Sequence, residues 1–393
     1  MPTPKTIFAT IGATALLVTT SIANAQDLNV NWKGAPELSS ADGNFKMKLR
    51  GRLFTDWASV SDNGGKAVDA TEFRAARFGI EGVIMKDVKY KLELDFAGNK
   101  TNITDATVEW ALKPVSVIVG QFKTPTSLEE QTSSRYITFL ERGSLTDAFG
   151  FSRQIGIAAN YAQNDVTFKA GIFQGNAKGG SKSIQGRTYA ARATFAPQIK
   201  NGFIHIGASA FQRENDQTVL IKSYSQRPHH HLAGKYVNTG NFAAKSDSFY
   251  GVEFAGVMGP LSAQAEWGWL KAKAPTGGVD AKFNGGYIDV SYILTGESRG
   301  YKNGSFGRIK VNNPVFKGGA GAWQIAARYD VIDLSDTAAA VIGGKQTSYI
   351  IGVNWHLNNY ARVMANYSRS DVKGGVNDGE DINAFGLRFQ VDW

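Results

Sequence analysis

The stretch Phe45-Lys46-Met47-Lys48-Leu49-Arg50-Gly51-Arg52-Leu53-Phe54-Thr55-Asp56-Trp57 changes character at every step. Successive side chains of an extended chain point to opposite sides, so a period of two sorts residues onto two faces. One face then carries Phe45, Met47, Leu49, Gly51, Leu53, Thr55 and Trp57, and the other Lys46, Lys48, Arg50, Arg52, Phe54 and Asp56. A strand with one apolar and one charged face separates an oily medium from a wet one. Val88 to Phe96 repeats the pattern, with Tyr90, Leu92 and Leu94 against Lys89, Lys91, Glu93 and Asp95. The chain ends on it too, with Phe385, Leu387, Phe389, Val391 and Trp393 opposite Arg388, Gln390 and Asp392.

About sixteen segments of this kind follow one another: 45–57, 71–84, 88–97, 104–112, 115–122, 154–161, 166–174, 186–195, 202–212, 247–258, 261–271, 284–294, 321–331, 346–356, 359–369 and 382–393. Most approach the ~9–11 residues that a tilted membrane strand needs, and an even number suits antiparallel closure. Short turns such as Met85-Lys86-Asp87, Lys113-Pro114 and Gly259-Pro260 separate some pairs; long connections (58–70, 123–153, 175–185, 213–246, 295–320, 332–345 and 370–381) separate others. Short turns at one rim and long loops at the other describe an outer-membrane barrel. A multi-domain β-sandwich would alternate as well. Aromatics at strand ends, such as Trp57, Trp110, Trp323 and Trp355, and charges deep in the strands favour instead membrane-interface girdles around a wet lumen. The predicted fold is all-β: a transmembrane antiparallel β-barrel.

The N-terminus reads as an export signal. Lys5 precedes an apolar run from Ile7 to Val18, and Ala23-Asn24-Ala25 supplies the small-x-small pattern before a cleavage point. The expected organisation is a signal peptide over 1–25, an N-terminal extension over 26–44 and a barrel domain over 45–393. No other run of 18 apolar residues offers a transmembrane helix, so any spanning structure is a closed barrel. Without cysteine, an exported chain takes its stability from hydrogen bonds and burial. Its formal charge is +9, or about +8 once Lys5 is removed, since residues 1–25 hold no acid. That balance points to small anionic solutes and to outer-membrane lipids and lipopolysaccharide, not to nucleic acid.

If the apolar face meets lipid, the polar face lines the lumen, and sixteen strands leave an aqueous channel. The inward set holds both signs, so paired wall charges are one reading of it. The first strand differs, because Lys46, Lys48, Arg50 and Arg52 are four consecutive inward cations whose repulsion an anion would relieve. The segment from Lys123 to Arg153 holds Ser133, Ser134 and Arg135 and then Glu141 and Arg142. Hydroxyls beside guanidiniums can replace an anion's hydration shell, which suits a constriction loop folded into the lumen.

Several segments then fall in a familiar order: Lys48-Leu49-Arg50-Gly51-Arg52-Leu53, Phe73-Arg74-Ala75-Ala76-Arg77, Leu92-Glu93-Leu94-Asp95-Phe96, Thr104-Asp105-Ala106, Gly120-Gln121-Phe122-Lys123, Ser133-Ser134-Arg135 and Tyr292-Ile293-Leu294-Thr295-Gly296-Glu297. The set resembles the phosphate-selective porin O and P family of Gram-negative outer membranes, from about Phe45 to Trp393. The resemblance implies a sixteen-stranded homotrimeric porin with an arginine-lined path and an in-folded loop. Arg52, Arg74, Asp105, Ser133, Ser134, Arg135 and Arg142 match the family's motifs, and Trp393 matches the C-terminal aromatic read by the barrel-assembly machinery. Two positions depart. Ala75 stands where phosphate-selective members carry a second arginine, and Glu130 where they carry a lysine. Those changes should weaken a dedicated phosphate site by on the order of several kcal/mol. Arg77 would compensate only if a bulge brought it to the face of Arg74, since strict alternation places it opposite.

Catalysis is not expected. Three of the five histidines, His229, His230 and His231, sit together in the 213–246 connection, and His205 and His356 lie on strands, so no serine–histidine pair stands out. That run reads as solvated loop before it reads as a metal site. No cofactor is implied, and a passive adhesin barrel would need a sealed lumen. The expected function is an anion-preferring, water-filled diffusion channel, with a weakly selective general porin as the alternative. The anion path is expected along Lys48, Arg50, Arg52, Arg74, Arg77, Asp105, Lys123, Ser133, Ser134, Arg135 and Arg142.

Overall fold

A computed structural model describes residues 28–32, 34–177, 186–214 and 220–393; the expected signal peptide, 1–25, lies outside them. The extension holds a small hairpin, β1 (Leu28–Trp32) and β2 (Pro36–Ser40). Sixteen long strands follow: β3 (Lys46–Asp62), β4 (Gly65–Ile84), β5 (Val88–Asp95), β6 (Asn102–Leu112), β7 (Val115–Lys123), β8 (Arg153–Gln163), β9 (Val166–Gln174), β10 (Arg187–Phe195), β11 (Gly202–Glu214), β12 (Ser246–Met258), β13 (Leu261–Lys273), β14 (Ala281–Ile293), β15 (Ala322–Asp336), β16 (Val341–His356), β17 (Ala361–Lys373) and β18 (Asp381–Asp392). Each pairs antiparallel with the next, and β18 returns to β3 in register from Asn383↔Ser61 to Asp392↔Arg52. The sheet therefore closes and leaves no edge, which is what hydrocarbon demands of a β-structure. β2 adds to the start of β3 through Glu37↔Lys48.

Burial is inside-out. Trp110 and Ile288 on the outer face are 55% and 58% exposed, whereas Glu93 and Arg388 inside are 0% and 2%. All sixteen expected segments are strands. The extents differ at the long-loop rim: β3 and β4 run on to leave only Asn63-Gly64 between them, and β15 and β16 leave only 337–340. The expected long connections 58–70 and 332–345 are thus largely paired strand, and 370–381 shrinks to 374–380. Register shifts between Val60 and Ser61 and between Asp333 and Ser335 slip the faces there, so simple alternation is lost where pairing continues.

Two long segments fold inward. Residues 124–152 leave the long-loop rim and carry the short helices α1 (Leu128–Gln131) and α2 (Ser144–Ala148). Residues 294–321 enter from the opposite rim, since they join an even-numbered strand to an odd-numbered one as the short turns do. Grouping 295–320 with the long-loop rim is corrected accordingly. Its tip is a small hairpin, Tyr301–Lys302 with Ser305–Phe306, around Asn303 and Gly304, both at positive φ.

The 223–245 segment also packs down at the long-loop rim. Tyr224 lies with Phe149, Leu145, Phe249 and Phe283 in an apolar core inside the barrel mouth. His229 and His230 are buried, not solvated, and His231 Nδ1 reaches Glu72 Oε1 at 2.7 Å. Burial, reinforced by Arg328, pushes His229 down to about 3; burial and then His229 push His230 down to about 4. Among the described residues no cluster of three metal-ligating side chains forms.

Candidate functional site

The 124–152 loop lies against one half of the wall. The backbone N–H groups of Leu128 and Glu129 donate to Glu266 of β13 at 2.9 and 2.8 Å. Arg328 of β15 donates to Glu129 at 2.6 Å, and Ser144 N to Asp330 at 2.9 Å. Farther along, Asn354, Arg362, Asn366 and Arg388 bond the backbone of Thr138, Ile137 and Leu140 at 2.7–2.9 Å. Gly143 sits where a Cβ would strike the Tyr287 ring at 2.4 Å, so only glycine lets the loop approach this closely. With its backbone polar groups met by wall side chains, the loop needs no water on that side.

The other half of the wall, β3 to β9, touches the loop through a few side-chain contacts, among them Arg52 with Ser134 and Arg74 with Glu141. Between them lies a cavity of about 360 Å³. Arg50, Arg52, Arg74, Arg77, Lys91, Lys123, Arg135, Arg142, Arg153, Lys169 and Arg388 line it, against only Asp105 and Glu141. Ten of the eleven expected path residues therefore meet in one place. Lys48 does not: it lies toward the short-turn rim, with Lys46 and Lys89 around a vestibule of about 400 Å³. The two spaces adjoin, with Lys91, Asp105 and Phe122 lining both.

The first-strand cations are relieved partly by the wall itself. One buried carboxylate, Glu93, serves Arg50 (3.3 Å), Arg52 (2.9 Å) and Arg77 (3.3 Å), and Arg50 also pairs with Glu81. Arg52 Nη1 donates to Ser134 Oγ at 2.8 Å, which brings loop hydroxyl and strand guanidinium together. Asp95 takes Arg77 at 2.7 Å, and Asp105 takes Arg153 at 2.8 Å and Lys91. Arg74 grips Glu141 through two bonds of 2.8 and 2.9 Å, while Arg388 holds Asp56 through two of 2.7 Å. Burial opposes ionisation of Glu141, but Arg74 and then Arg388 outweigh it and hold its carboxyl below the ordinary range.

A bulge decides the face of Arg77. Phe54 pairs with Ala75 and Thr55 with Phe73, which leaves Arg74 unpaired in the ladder. Arg74 and Ala75, adjacent in sequence, consequently both face the cavity, and Arg77 joins them. Glu130 is 7% exposed and lies behind the cavity lining, between Lys123 Nζ (3.4 Å) and Arg142 Nε (3.5 Å). Burial works against its charge, yet Lys123 and then Arg142 lower its pKa. It thus cancels part of the loop's positive field. Ser133 Oγ accepts weakly from Arg135 at 3.4 Å.

Lys91, Arg153, Lys169 and Arg388 were absent from the expected path. All four lie on strands, Arg153 as the first residue of β8, and only the position of the loop reveals which polar-face cations line the cavity. Lys169 places its ammonium 4.6 Å from the Phe122 ring centre and makes no ion pair among the described residues.

A closed sixteen-strand barrel with an apolar outer belt, a charged lumen and a constricting inner loop is a porin, a channel of the Gram-negative outer membrane. The family model for phosphate-selective porin O and P matches residues 45–393. Porin O of Pseudomonas aeruginosa is 29% identical over 94% of this chain and 94% of its own length. An uncharacterized protein of Caulobacter vibrioides is 33% identical over 93% of this chain and 77% of its own. Among solved structures, the anion-selective porin from Comamonas acidovorans superposes with a TM-score of 0.60 at 14% identity, over 89% of this chain and all of that one. The chain belongs to the phosphate-selective porin O and P family.

Proposed function

We propose that this porin is an anion-preferring, water-filled diffusion channel for small solutes, phosphate and other oxyanions among them, without a dedicated phosphate site. The observation that carries the reading is the constriction cavity, where eleven cationic side chains face two carboxylates. Rings of Lys and Arg favour anions by replacing lost hydration with directed donors. The path is Arg50, Arg52, Arg74, Arg77, Lys123, Arg135 and Arg142, with Ser133 and Ser134 supplying hydroxyls and Asp105 fixing Lys91 and Arg153. Phosphate specialism is disfavoured because Ala75 points an apolar methyl into the cavity and Glu130 neutralises Lys123 and Arg142 from behind.

The biological setting follows the family. Residues 1–25 direct export and are removed, Trp393 presents the aromatic end to the barrel-assembly machinery, and three copies associate in a bilayer containing lipopolysaccharide. No residue is assigned to catalysis, and no cofactor is needed. Planar-bilayer recording across a KCl gradient tests the reading. Reversal toward the chloride potential supports it; reversal toward the potassium potential overturns the anion preference and leaves a general porin. Block of chloride current by low-millimolar phosphate would instead restore the specialist.

A further inference from the structure

Behind the constriction loop, sharing Arg135 with the lining of the main cavity, is a second and much smaller chamber of about 20 Å³. Its walls come from the back of the loop (Arg135, Thr138), the in-folded 294–321 segment (Arg299, Arg308) and the short-turn ends of β16 to β18 (His356, Arg362). Asp392 supplies the one carboxylate and is already engaged by Arg308 and by Gln390.

Two of the four guanidiniums are deeply buried and have no carboxylate within ion-pairing distance among the described residues, Asp289 and Glu129 acting on Arg299, and Asp392 on Arg362, only from farther off. Arg362, 4% exposed, donates to Gln390 Oε1 at 3.0 Å and to Ile137 O at 2.9 Å, and its Nη2 has no protein partner among the described residues. Arg299, 6% exposed, donates to Gln264 Oε1 at 3.1 Å and stacks its guanidinium 3.5 Å from the Phe306 ring centre. The buried Thr138 hydroxyl, with a free donor hydrogen, and His356 Nε2 also lack partners there. A guanidinium cannot shed its proton to escape this situation, and a buried charge without a counter-charge is costly. Water would satisfy the hydrogen bonds but not the charge. The chamber is only slightly larger than one water needs by the same measure, which admits a single atom and excludes a tetrahedral oxyanion.

We infer that this chamber binds one monatomic anion of the halide class, held by Arg362, Arg299 and Thr138, which ties the back of the constriction loop and the 294–321 segment to the wall. Asn358 and Asn359, in the short turn between β16 and β17, also line it. The site stands independently of the channel's ion preference.

Bromide soaking of crystals of the purified protein, read by anomalous diffraction, tests this directly. An anomalous peak within about 3.5 Å of Arg362 Nη2, a hydrogen-bonding reach for the larger ion, is expected in the wild type and in Arg52→Ala, and is lost in Arg362→Met. In solution, the melting midpoint should rise by several degrees in sodium chloride over sodium gluconate at equal ionic strength. Thr138→Val should reduce that rise, and it provides a second variant if Arg362→Met fails to fold. Bromide found only beside Arg52 and Arg142, or equal melting in chloride and gluconate, would overturn the assignment.

Discussion

The two halves of the barrel wall start from the same alternation and end in opposite conditions. Along β3 to β9 the inward cations border water. Along β13 to β17 they are sealed beneath the constriction loop, where Arg328 is fully covered between Glu129 and Asp289. Both halves carry arginine, and both pair much of it. What separates a selectivity residue from a structural one is therefore not its type or its face but which side of the loop it falls on. The sealed half positions the loop, and the open half borders the cavity.

The largest effect should come from breaking the sealed half. Arg328→Met leaves Glu129 and Asp289 buried without their cation and should cost about 3–5 kcal/mol. A lowered melting midpoint together with larger, noisier single-channel conductance would show the loop released; unchanged conductance would mean the remaining anchors suffice. Next, Ala75→Arg adds a guanidinium to the open half at an inward bulge position. A new charge-assisted bond is worth about 1.5–3 kcal/mol, so half-block of chloride current should need about tenfold less phosphate. An unaltered phosphate response would place position 75 off the solute's track.

Smaller still, Arg52→Ala or Arg142→Ala should each lower the chloride-over-potassium permeability ratio about fivefold, for a loss of about 1 kcal/mol. The ratio would stay put if these arginines were fully spent on Glu93 and Glu130. The mildest test uses protons. His229 and His230 are held neutral in the folded chain, near 3 and 4, against an ordinary value of 6.5. Below about pH 6.5 an opened 223–245 segment binds protons that the packed one refuses, so packing weakens as pH falls toward those depressed values. Hydrogen-exchange protection in this segment, taken relative to the intrinsic rate at each pH, should fall from pH 7 to pH 5, and less so in a His229→Gln, His230→Gln double variant.

Much of this was legible in the chain because lipid on one side and water on the other force a strict two-residue period. That constraint lapses beyond the membrane, which is why β3 and β4 could not be followed to Asp62 and Gly65. The Asn63-Gly64 pair was the available signal for that tight hairpin, as Asn303-Gly304 was for the tip of the 294–321 segment. Counting strands would also have put that segment at the short-turn rim. The residues that line the cavity lie on faces and in motifs the sequence displays, yet which cations the loop leaves uncovered depends on contacts such as Glu266 with Leu128, separated by over a hundred residues. No local pattern encodes those. The inward turn of Arg77 likewise hangs on a bulge that only the partner strand defines.

That bulge at Arg74 has an evolutionary side. A regular strand offers the lumen every second residue, so adding a lumen charge normally means replacing one already in use. The extra residue gives the cavity two neighbours in sequence, 74 and 75, and the second can vary without disturbing closure or the lipid face. An arginine there favours retention of scarce anions; an alanine favours fast release when solute is plentiful, since a channel must let go of what it attracts. On the proposed reading as an anion channel, position 75 is in that sense an adjustable setting between scavenging and throughput, with alanine on the throughput side.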